Sequence, residues 1–64
     1  MLQEFRSDAI QDCYRRAAEA RRTADEATSP ATRSDFLNFE RRWLSLARGF
    51  EAEIARELTP QAGW

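Results

Sequence analysis

The 64-residue sequence contains no histidine and no lysine, and only one cysteine, two glycines and two prolines. Without histidine, Cys/His metal clusters are excluded, and so is the commonest general base of nucleophilic catalysis. A single cysteine allows no internal disulfide. Scarce glycine and proline exclude collagen-like and low-complexity chains, and 42 % hydrophobic content is too high for a disordered one. No apolar run approaches the roughly 18 residues of a membrane span. The opening residues, Met-Leu-Gln-Glu-Phe-Arg, lack the apolar core of a secretory leader. These absences point to a cytoplasmic protein with no membrane role. No Gly-rich phosphate loop or nucleophile elbow is present either. A chain this short has too little volume to form a concave pocket alone. The expectation is a non-enzyme with no cofactor and no metal.

What the sequence does contain is helix-forming. Residues 2–27 hold neither glycine nor proline and are rich in Ala, Arg, Glu, Asp and Gln. Ile10, Cys13, Ala17, Ala20, Ala24 and Ala27 recur in steps of three and four, the signature of one helical face; Leu2, Phe5 and Ala9 extend it. Thr28-Ser29-Pro30 reads as a stop and a restart. The residue before proline is pushed out of the α region, and Ser29 offers a cap to a helix with Pro30 in its first turn. A second helix is predicted over about 31–58, with Ser34-Asp35 a second possible cap that would move its start anywhere between 30 and 35; Thr59-Pro60 ends it, with 59–64 a frayed tail. Its main face is Phe36, Phe39, Trp43, Ala47, Phe50, Ile54 and Leu58.

Two long helices joined by so short a connection run antiparallel. Residues whose numbers add to about 60 then face one another. Ala24 meets Phe36, Ala20 lies near Phe39, Ala17 meets Trp43, Cys13 meets Ala47, Ile10 meets Phe50, and Leu2 meets Leu58. Small residues on one helix oppose large ones on the other near the turn, as close packing requires. The expected intrachain core is Ile10, Cys13, Ala17, Ala20, Ala24, Phe36, Phe39, Trp43, Ala47, Phe50 and Ile54. Cys13 is read as a small buried hydrophobe.

Ten arginines against eleven acids leave a net charge of −1. Acids lie at helical spacing around most of the arginines: Asp12 reaches Arg15 and Arg16, Arg15 reaches Glu19, Arg22 reaches Asp25 and Glu26, and Glu53 reaches Arg56. A nucleic-acid groove needs an uncancelled basic face, which argues against nucleic acid. Arg6 and Arg21 sit near the centre of the apolar stripe. They read as contacts for an anion or partner or, the favoured reading, as snorkelling stems whose guanidinium reaches an acid across the seam, Glu53 or Glu57 for Arg6 and Glu40 or Asp35 for Arg21.

Tyr14-Arg15-Arg16-Ala17-Ala18-Glu19-Ala20-Arg21, then Ala24, Pro30, Phe36-Leu37, Glu40 and Trp43-Leu44-x-Leu46-Ala47, carry a resemblance within residues 12–50. This run resembles a family of small uncharacterised helical-hairpin proteins of rhizobia and related alphaproteobacteria. Ser29 stands where that family usually has aspartate, and Phe50 to Leu58 extends the second helix. The resemblance implies a hairpin of bacterial origin and no particular activity.

The fold class expected is all-α, an antiparallel helical hairpin that dimerises into a four-helix bundle. Leu37, Leu44 and Ala55 form a second apolar stripe on helix 2, joined by Tyr14 and Ala18 from helix 1. These five are the candidate dimer interface, and Glu51 between them must reach the rim or an arginine. Small scaffolds without disulfide or metal usually need such association. The function expected is a homo-oligomeric structural or protein-interaction module with an unidentified protein partner. The alternative is a small RNA- or DNA-binding regulator of the dimeric helical-hairpin type.

Overall fold

The computed structural model describes residues 2–58, with side chains from Arg6 onward. Two helices occupy nearly all of it, α1 over Leu2–Glu26 and α2 over Pro30–Leu58. The boundary lies one residue earlier than expected: α1 stops at Glu26, and the turn is 27–29. Local chemistry explains this. Ser29 is the N-cap of α2, its Oγ accepting from the Thr32 N–H at 3.4 Å, and Pro30 takes the first helical position, where a missing N–H costs nothing. The Arg33 N–H then donates to the Ser29 carbonyl at 3.0 Å, the first bond of the new helix.

The end of α1 is less well favoured by its own sequence. Asp25 and Glu26 place negative charge where the helix dipole is already negative, and its last turn has no basic residue. The remedy comes from α2. Arg33 Nη2 donates to the Ala27 carbonyl at 3.0 Å, while the Ala27 N–H tightens back to the Ala24 carbonyl at 3.2 Å.

The helices pack side by side and antiparallel. Arg21 meets Glu40 near the turn, Arg16 meets Trp43, Tyr14 meets Glu51, and Arg6 meets Glu57 at the far end, all within about one helical turn of the expected register. The seam is made of small side chains. Among the described residues Cys13, Ala17, Ala20 and Ala24 on α1 and Ala47 on α2 are the buried hydrophobic ones, and Ala24 and Ala47 have no exposure at all. Ile10, Phe36, Trp43, Phe50 and Ile54 are only partly buried.

Phe39 departs from expectation. Its spacing puts it in the core, yet it is 44 % exposed. The contact on α2 centres on Ala47 rather than on Trp43. At about 100° per residue Ala47 lies some 40° to one side of Trp43, and Phe39 about 40° to the other. A line of alanines on α1 lets the backbones approach where α2 also offers an alanine, and that rotates Phe39 out of the seam. The expected contact between Leu2 and Leu58, the Thr59-Pro60 stop and the tail 59–64 lie outside the described side chains.

Candidate protein-interaction surface

The two flanks of the seam differ in chemistry. On one, Tyr14 Oη donates to Glu51 Oε1 at 2.8 Å, and Arg21 Nη1 lies 3.6 Å from Glu40 Oε1. Glu51 thus finds a tyrosine rather than an arginine. The hydrogen bond to Glu51 holds the Tyr14 phenol above its ordinary pKa, because ionisation would set two anions together. This flank carries the residues expected at a dimer interface. Tyr14, Ala18 and Ala55 are exposed there, and Leu37 and Leu44 are partly buried. Polar bridges cross the surface between them.

The opposite flank is the more aromatic one. Arg16, Glu19, Ala20 and Thr23 of α1 meet Phe36, Phe39 and Trp43 of α2 along a groove of about 240 Å³. The Arg16 guanidinium sits 5.1 Å from the Trp43 ring centroid, and its Nε donates to Asp12 Oδ2 at 2.8 Å. Phe36 and Phe39 meet edge to face, their centroids 5.5 Å apart. Farther along, Phe39, Arg42, Trp43 and Leu46 line one shallow depression, while Arg42, Ser45, Leu46, Gly49, Phe50 and Glu53 line the next, of about 390 Å³. The two share Arg42 and Leu46, so the trough is continuous. Leu46 is 47 % exposed. Neither the expected core nor the expected interface included it, although its three-residue step from Trp43 and four-residue step to Phe50 are plain in the sequence.

Gly49 stands in this trough. A Cβ added there would meet nothing within 4 Å. Nothing inside the hairpin therefore requires glycine, which costs an exposed helix about 1 kcal/mol relative to alanine.

Several other charges are paired locally. Asp12 accepts from both Arg16 and Arg15, and these bonds hold its carboxyl below the ordinary value of 3.8. Arg15 therefore turns back to Asp12 rather than forward to Glu19. Arg21 Nε also reaches Asp25 at 3.3 Å. Arg6 pairs with Glu57, one of its two anticipated partners, and holds that carboxyl below the ordinary 4.5. Nη1 of Arg6, which faces Glu57 Oε1, is buried.

Among the described residues no group of acids and cysteine is placed to hold a metal ion, and no helix is long and apolar enough to cross a membrane. Cys13 is buried and unpaired. Compared with family models, with curated proteins and with solved structures, the chain gives no match.

Proposed function

We propose that this chain is a self-associating protein-interaction module, two hairpins pairing into a four-helix bundle that serves as a structural or docking unit. The observation that carries this reading is the composition of the core. Among the described residues its buried hydrophobic side chains are four alanines and one cysteine, and no large one is fully buried. A domain normally needs two packed layers around one core. This hairpin is a single layer, with extents of 54 × 25 × 10 Å. Its accessible surface of 5253 Å² exceeds by about 1,000 Å² the value expected for a compact monomer of 7.4 kDa. That excess is an upper bound on what a second layer has to cover, and a standard interface takes about 800 Å² from each partner.

The charge arrangement favours protein over nucleic acid as the partner. Arg6, Arg15, Arg16 and Arg21 are each matched to a carboxylate, which cancels most of the basic charge of α1, and the net charge of the chain is −1, whereas nucleic-acid binding draws on an uncancelled basic face. Sedimentation equilibrium at micromolar concentration tests the reading. A species of twice 7.4 kDa is expected, and a folded monomer throughout would refute it.

A further inference from the structure

We infer that the surface through which two copies join is the trough of α2 formed by Phe39, Arg42, Leu46, Gly49, Phe50 and Glu53, with the two α2 helices antiparallel across a two-fold axis beside Leu46 and Gly49. This rests on the self-association proposed above and specifies its geometry. It also moves the interface to the flank opposite the one expected from the sequence.

Three features commit the trough to a second copy of this chain. The first is charge. Arg42 and Glu53 both line it, and among the described residues neither lies within salt-bridge distance of an opposite charge, although Glu53 adds to the field at Arg6. An antiparallel copy lays Arg42 on the partner's Glu53 and, by symmetry, Glu53 on the partner's Arg42. A parallel pairing in register would set like charges side by side instead. The second is shape. The same axis sets Leu46 against the partner's Gly49, where open space lies above the backbone, so a projecting side chain meets a vacant position twice. Phe50 lies against the partner's Ser45, and Phe39 comes beneath the partner's Arg56. The glycine, unexplained inside one hairpin, becomes the place of closest approach.

The third is direction. On α2 the seam with α1 centres on Ala47 and the trough lies about 130° round the helix, which leaves Trp43 between the two contacts and Phe39 and Phe50 on the rim of the trough nearer the seam. In a four-helix bundle that intermediate direction points at the bundle centre, so the large side chains only partly covered in one hairpin become its core.

Charge exchange between two variants tests this. Arg42→Glu and Glu53→Arg each place two repulsive pairs in the proposed homodimer and are expected to weaken self-association about tenfold or more. An equimolar mixture is expected to recover a heterodimer near wild-type affinity, because the first variant then meets the second with opposite charges at both ends. Both substitutions are on exposed side chains, and circular dichroism checks that each variant keeps its helicity. If wild type dimerises while both variants dimerise unchanged, or if the mixture fails to recover, this interface is overturned and self-association through another face stands. If wild type is monomeric, the underlying reading fails first.

Discussion

Phe39→Ala separates what the hairpin does alone from what a second copy adds. A fully buried aromatic side chain hides about 200 Å² from water. Phe39 is 44 % exposed, so one hairpin covers a little over half of its ring. At about 25 cal/mol per Å², with allowance for residual burial in the unfolded chain, that half is worth about 2 kcal/mol. The edge-to-face contact with Phe36 adds about 0.5–1.5 kcal/mol. Truncation is therefore expected to destabilise the folded monomer by about 3 kcal/mol. In the proposed dimer the exposed remainder, about 90 Å², would be covered by the partner and would contribute about 2 kcal/mol from each copy. The dimer Kd should rise about a thousandfold. Urea unfolding at two protein concentrations measures the first quantity, and sedimentation equilibrium the second. A variant destabilised as a monomer but with Kd changed less than about fivefold would refute the idea that a second copy covers the ring.

Ala47→Leu tests the alanine seam. Ala47 is wholly buried, and the extra carbons should cost about 1–3 kcal/mol or separate the helices, read as a lower thermal midpoint. Ser29→Ala removes the cap of α2 and should cost about 1 kcal/mol in the same assay, because the Thr32 N–H loses its acceptor. Acid should destabilise the fold through Asp12 and Glu57. Both carboxyls are held below their ordinary values of 3.8 and 4.5, so their stabilisation is present above those values and is lost as pH falls through the lower folded-state values. Thermal melts from about pH 5 to about pH 2.5 should show a shallower decline in Asp12→Asn than in wild type, and parallel declines would count against this account.

Helix extents, the turn and the pairing of the helices were legible because they depend on neighbours in sequence. Ser29 and Pro30 act on adjacent backbone, the run without glycine or proline allows α1 to continue, and steps of three and four mark the apolar faces. Charge partners were legible where one helix face held the arginine and only one or two acids faced it, as for Arg6 with Glu57 and Arg21 with Glu40. The alanine positions of the core followed from the same spacing.

The rotation of each helix about its own axis was decided only in the tertiary structure. A stripe spanning more than 100° leaves several rotations that bury equivalent apolar area. The choice among them falls to contacts between residues far apart in sequence. Ala47 fits against the small residues of α1, and Tyr14 with Glu51 and Arg21 with Glu40 close one flank. Those contacts turn Phe39 and Leu46 to the outside of the hairpin. The sequence determined two amphipathic helices and how they meet end to end; packing decided which side of the pair remained apolar.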